Sequence, residues 1–212
     1  MRDNHHLIRG YTLIELLAVI AIIGVLVTIL SVTLGKAREA AQTTTCASNM
    51  RQIGVALLLY TNENQNKIPP RWVSGGMPWN DRLNEYFGIK KYPSGRYFEN
   101  PVWLCPAAKI IDDSMFNRHY GMNAYVLNDR WALQRNAIPA PANIILIGEM
   151  NDNSDFVLPE LNFTQEGDVK TRYRMSHKGG TGANYAFADG HVEFIIGRIT
   201  DLNAATSPWK WW

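Results

Sequence analysis

Proline, tryptophan and phenylalanine are all missing from residues 1–61. The 10 prolines lie at or beyond Pro69, and the 7 tryptophans at or beyond Trp72. Without proline, nothing in that first stretch breaks a helix. Cysteine is nearly absent as well. The 2 residues present, Cys46 and Cys105, exclude a disulfide-dense miniature scaffold and a four-cysteine zinc site. Neither sign of charge dominates, since 21 Lys+Arg against 19 Asp+Glu leaves +2. That balance offers no electrostatic basis for binding nucleic acid. Also missing are Gly-x-Ser-x-Gly, His-Glu-x-x-His and a phosphate-binding glycine loop. With these signatures lacking, the chain is expected not to be an enzyme.

What is present falls into two regimes that the mean hydropathy of −0.19 averages away. Leu16 to Leu34 contains no charged residue. At about 1.5 Å per residue, a helix of that length matches the ~30 Å hydrocarbon core of a bilayer. Arg2 and Arg9 precede it, favouring a cytoplasmic amino end, although Lys36 and Arg38 on the far side weaken the asymmetry. A cleavable secretory signal is the alternative, but its apolar region is usually shorter and the Lys36–Ala40 stretch offers no clean cleavage site. Helical periodicity also continues: Ala37, Ala40, Ala41, Thr44, Ala47, Ile53, Ala56, Leu57 and Tyr60 recur at three- and four-residue spacing. One helix is therefore expected over residues 11–62, apolar first and amphipathic afterwards.

Residues 63–212 are rich in Gly, Pro, Asn and aromatics and read as a turn-rich globular head. Pro69-Pro70 closes the helix region. Pro78 to Gly88 predicts a short helix with Trp79, Leu83 and Phe87 on one face and Gly88 as its stop. Tyr120–Leu127 and Asn143–Gly148 predict strands, the second apolar enough to be central. Residues 183–195 predict a β-hairpin turning at Asp189-Gly190 through a type I′ turn.

One carboxylate breaks the apolar pattern near its start. Glu15 sits where an isolated ionised side chain costs up to about 2.5–3.5 kcal/mol, and less near the interface. Its surroundings, Gly10-Tyr11-Thr12-Leu13-Ile14-Glu15-Leu16-Leu17-Ala18-Val19 onward to Gly24, resemble the class III signal of type IV pilins and type II secretion pseudopilins. The resemblance implies a leader of residues 1–10, cut after Gly10 by a prepilin peptidase on the cytoplasmic face, and N-methylation of Tyr11, which stands where Phe is usual. It also implies that Glu15 pairs with the amino terminus of a neighbouring subunit during assembly. The chemistry is reasonable, because an α-amino group would neutralise a carboxylate that is costly in lipid.

A second resemblance joins the rest of the chain. Cys46 with Asn49-Met50-Arg51-Gln52-Ile53-Gly54, then Cys105-Pro106, Tyr120-Gly121-Met122-Asn123, and finally His177 with Asp189-Gly190 are similar to a large pilin-like group of unknown function. That group ends in an H-x9-DG element. Here eleven residues separate His177 from Asp189, and Gly179, Gly180 and Gly182 can absorb the longer loop. The fold implied is α+β and pilin-like, a long transmembrane and amphipathic N-terminal helix packed on a C-terminal antiparallel β-sheet head. The partners implied are the prepilin peptidase, other pilin or pseudopilin subunits, an inner-membrane assembly platform and, before assembly, membrane lipid. The localisation implied is the inner membrane, single-pass, with a cytoplasmic amino terminus, an extracytoplasmic head and a possible place in a surface filament.

Other sites are less sharply drawn. Outside the membrane, oxidising conditions favour a Cys46–Cys105 disulfide, with two buried free thiols as the alternative. His177, Asp189, His191 and Glu193 invite a zinc or catalytic reading, but Asp189 is explained by its turn and His191 by a solvent-facing strand position. No cofactor is expected, with calcium the runner-up. Asp152, Asp155, Asp189 and Asp201 supply oxygen donors, of which Asp189 and Asp201 are the candidates kept. The alternative to a filament subunit is a membrane-anchored extracytoplasmic enzyme or a domain binding calcium or carbohydrate.

Overall fold

The computed structural model describes residues 12–70, 79–89, 101–108, 119–123, 134–150, 160–161 and 175–197. Helix α1 runs over Leu13–Glu63. The chain divides into two compact units, Met1–Ala40 and Ala41–Trp212.

In the first unit the large apolar side chains of α1 from Leu13 to Leu34 are exposed. Among the described residues α1 is the one helix long and apolar enough to cross a membrane. Its few hydroxyls are satisfied by the helix itself. Thr28 donates to Gly24 O at 2.8 Å, Ser31 to Val27 O at 2.8 Å, and Thr33 to Leu30 O at 3.0 Å. A helix in hydrocarbon needs this, because lipid offers no partner for a free O–H.

In the second unit α1 becomes one-sided, burying Cys46, Met50, Ile53, Leu57 and Tyr60 at helical spacing. The buried stripe starts lower than the sequence pattern predicted, since Ala37, Ala40, Ala41 and Thr44 are exposed. Small side chains keep the three- and four-residue rhythm there while remaining exposed. The helix ends where Gln65 and Asn66 take positive φ of 57° and 62°, and Asn66 N–H donates to Thr61 O at 2.7 Å.

Helix α2, Trp79–Leu83, continues as a 3-10 turn over Asn84–Phe87 and stops at Gly88, φ 68°. Trp79 and Phe87 both meet Trp103 edge to face, with centroids 5.6 and 5.9 Å apart. The Trp103 indole N–H donates to Asn84 Oδ1 at 2.8 Å, so this aromatic corner is also satisfied polarly.

The sheet contains β1 (Tyr120–Asn123), β2 (Ile145–Glu149), β3 (Glu160–Leu161), β4 (Gly182–Phe187) and β5 (Val192–Ile196), in the order β3-β1-β2-β4-β5. Neighbours are antiparallel except the two-residue β3, which runs parallel to β1. The apolar β2 is central, as its composition predicts, and is buried throughout. The fold is thus α+β, with the lower part of α1 and the sheet sharing one hydrophobic core. Of the predicted strand Tyr120–Leu127, residues 120–123 are strand and the remainder lies outside the described residues.

The hairpin forms, but with a different turn. Gly190 N–H donates to Phe187 O and Phe187 N–H to His191 O, both at 2.9 Å. Gly190 has φ 101°, whereas Asp189 is not among the positive-φ residues. This is a three-residue loop, a type I turn followed by a left-handed glycine, rather than type I′. The adjacent segment explains the preference, because Ala188 N–H donates to Ile144 O at 2.9 Å and Asp189 N–H to Pro141 O at 3.2 Å.

Candidate functional site

Two places carry the chemistry the sequence points to. Gly10 and Tyr11 of the processing signal lie outside the described residues, whereas Glu15 is described and its carboxylate is hydrogen-bonded. Its Oε2 accepts from Thr12 N–H at 2.8 Å and from the Thr12 hydroxyl at 2.9 Å, while Glu15 N–H donates to Thr12 Oγ1 at 3.3 Å. This is a reciprocal capping box, Thr-x-x-Glu, satisfying amides that a helix start leaves open. The spacing was legible in the sequence but overshadowed by the charge.

The second place is the interior of the head, built around His177. Its carbonyl accepts from Gly180, Thr181 and Gly182 N–H at 3.0, 3.1 and 3.3 Å. Lys178, Gly179 and Gly180 take positive φ of 49°, 66° and 87°, making a tight left-handed turn in which glycine supplies two of the three positions without a Cβ penalty. The chain returns on itself, and His177 pairs with Gly182 at the start of β4. The imidazole is fully buried. Its Nε2 lies 2.8 Å from Glu149 Oε1 and 3.6 Å from Cys105 Sγ, and its Nδ1 lies 3.1 Å from Thr43 Oγ1.

Glu149 ends β2 and is 1% exposed. Besides His177, its Oε1 receives Asn184 N–H at 3.2 Å and Asn184 Nδ2 at 3.1 Å, while Oε2 has no hydrogen-bond partner. Cys46 and Cys105 close the other side as a disulfide, with Cα atoms 5.0 Å apart, linking α1 to the segment after Trp103. Tyr120 stands opposite Glu149 in the β1–β2 register. Burial first, and the Glu149 carboxylate second, push its phenol above its ordinary pKa of 10.0. Further support comes from His119 Nδ1, which accepts Cys105 N–H at 2.9 Å, and from Asn49 Nδ2, which donates to Leu104 O at 2.9 Å. A disulfide, an imidazole and a carboxylate thus meet away from water.

The H-x-DG residues do not converge. His177 lies before β4 and is buried, whereas Asp189 and Gly190 lie after it in the hairpin loop. Asp189 Oδ1 accepts His191 N–H at 3.0 Å and lies 2.6 Å from His191 Nδ1. Partial burial pushes the Asp189 pKa up, but the His191 amide and imidazole outweigh it and hold the carboxyl below its ordinary value. The four groups considered for zinc or catalysis therefore do not converge, with His177 inside and Asp189, His191 and Glu193 at or near the surface. Of the two calcium candidates, Asp189 is engaged by His191 and Asp201 lies outside the described residues.

Glu149, Thr43 and Asn184 were missed by sequence reasoning. The available signal was a solitary carboxylate closing the apolar run Ile144–Ile147, the same kind of anomaly that drew attention to Glu15.

Residues 6–31 match the family model of the prokaryotic N-terminal methylation motif. Residues 35–130 match a family described as a protein of unknown function (DUF1559). No curated protein and no solved structure was found to match. With an apolar N-terminal helix that continues into an α+β head, these matches support a prepilin-type precursor. The two matches are those of a pilin-like protein with a prepilin-type N-terminal signal, and the apolar helix is compatible with a single-pass membrane anchor.

Proposed function

We propose that this chain is a structural subunit of an envelope filament, either a pilus or the pseudopilus of type II secretion. A prepilin peptidase cuts after Gly10, and Tyr11 becomes the N-methylated amino terminus. Before assembly the subunit waits in the inner membrane with its amino end cytoplasmic and its head outside. Other subunits and an assembly platform then draw it into the filament. The observation that carries this reading is the methylation-motif match over the start of a proline-free helix whose large apolar side chains from Leu13 to Leu34 are exposed. Exposed apolar area on that scale needs lipid or neighbouring helices to cover it.

Within this reading Glu15 changes partner. In the free subunit it caps its own helix through Thr12, and in the filament it receives the α-amino group of a neighbour. His177 and Asp189-Gly190 frame β4 from its two ends, so the H-x-DG element acts as a folding element rather than a reactive site. No catalysis is assigned to the chain. The test is Glu15→Val in cells that assemble the filament. Membrane insertion should be unchanged and incorporation into sheared filaments strongly reduced. Incorporation equal to the parent would refute the assembly role.

A further inference from the structure

We propose that the buried centre of the head is a zinc site whenever the disulfide is open, with Cys46, Cys105, His177 and Glu149 as its four ligands. One donor atom from each lies within 4.8 Å of the others, and all four residues are buried. A tetrahedral zinc ion with Zn–S of about 2.3 Å and Zn–N or Zn–O of about 2.0–2.1 Å sets ligand–ligand distances of roughly 3.3–3.8 Å. The 3.6 Å between Cys105 Sγ and His177 Nε2 already has that value. The 2.8 Å between His177 Nε2 and Glu149 Oε1 must widen by about half an ångström, and the two sulfurs must part, which side-chain rotation provides.

Two further features point to a cation. Glu149 Oε2 is buried with no hydrogen-bond partner, although a buried carboxylate oxygen is normally satisfied. The second ring nitrogen of His177 is held by Thr43 Oγ1 at 3.1 Å, the outer contact that orients a ligating imidazole. Two thiolates, an imidazole and a carboxylate suit zinc and not calcium, whose ligands are oxygens.

The chemistry balances. A dithiol donates two electrons and two protons to the Sγ–Sγ bond and leaves as its own disulfide, or a phosphine donates the two electrons and leaves as phosphine oxide, with water supplying its oxygen and the two thiol protons. Cys46 and Cys105 become thiols. On binding, each thiol releases its proton to solvent, His177 coordinates as neutral imidazole through Nε2, and the Nδ1 proton faces Thr43 Oγ1. Oxidation by a disulfide donor expels the ion and restores the cross-link. The same four residues thus hold α1 to the sheet by a covalent bond in one state and by a metal in the other.

The test uses the full chain in detergent, reduced with a phosphine, with Co2+ as spectroscopic probe and Zn2+ as competitor. Expected are a thiolate-to-cobalt charge-transfer band, visible bands of tetrahedral intensity, equimolar displacement by Zn2+, and none of these in the oxidised chain. Cys105→Ser should weaken the charge-transfer band. Glu149→Gln and His177→Ala should each weaken affinity at least tenfold and shift the visible bands. If reduction loosens the head, recovery of its melting temperature on adding Zn2+ supports the site, and failure to recover overturns it. Equal cobalt binding by the oxidised chain, or spectra unchanged in both ligand variants, would place the metal elsewhere and overturn the proposal.

Discussion

Replacing His177 with Ala isolates the buried His177–Glu149 pair of the head. In the parent, His177 Nε2 and Glu149 Oε1 are 2.8 Å apart, with side chains 0% and 1% exposed. After His177→Ala the carboxylate keeps only the two Asn184 contacts to Oε1, and Oε2 remains without a partner. Removing one member of a buried pair typically costs about 3–5 kcal/mol, because the other is left uncompensated away from water. Against a total stability of roughly 5–15 kcal/mol, that is a large share. For a chain of this size it corresponds to a fall in melting temperature of roughly 6–20 °C. Glu149→Gln should cost less, since the amide keeps an acceptor for His177 and buries no charge. The double variant should be less destabilised than the sum of the single variants. The assay is urea unfolding of the oxidised full chain in detergent, followed by fluorescence of the core residues Trp79 and Trp103. A loss below about 1 kcal/mol for His177→Ala, or strict additivity in the double variant, would refute this view of the pair.

Other perturbations probe other parts of the head. Reducing the Cys46–Cys105 bond, which closes a separation of 59 residues, should lower stability by roughly 2–4 kcal/mol in metal-free buffer, measured by the same unfolding curve. Gly182→Ala would bring a Cβ against the Phe194 ring and within 2.8 Å of Ile195 O across the β4–β5 pair, and should cost about 1–3 kcal/mol. Asp189, with its folded pKa held below the ordinary 3.8, stabilises above that pH and loses its contribution as pH falls through the lower folded value. Because the pair with His191 is part-exposed, the effect should be about 1 kcal/mol or less, and Asp189→Ala should flatten that part of the acid unfolding profile.

Much of this architecture is written in local sequence. The long helix follows from an absent residue type and an uncharged run, and β2 from a short apolar stretch. The stop of the second helix follows from Gly88, whose φ of 68° few other residues adopt readily. The hairpin was legible in position but not in turn type, because the choice depends on hydrogen bonds to Pro141 and Ile144, far from the turn in sequence. The buried centre was legible only in fragments. Cys46, Cys105 and His177 each stood out singly, but their meeting with Glu149 depends on how the sheet registers Glu149 beside Asn184. Tertiary pairing of that kind leaves no periodic trace. His177 and Asp189 illustrate the opposite hazard. Joined in one motif, they are separated in space by the strand they enclose, so their shared pattern marks the ends of β4 rather than a common site.

The fate of the amino terminus decides most directly whether this chain is a processed prepilin. Co-expression of the full chain with a prepilin peptidase, followed by intact mass and N-terminal sequencing, should yield a product beginning at N-methylated Tyr11 and lacking residues 1–10. A product that retains Met1, or one cut downstream of the apolar run, would contradict it.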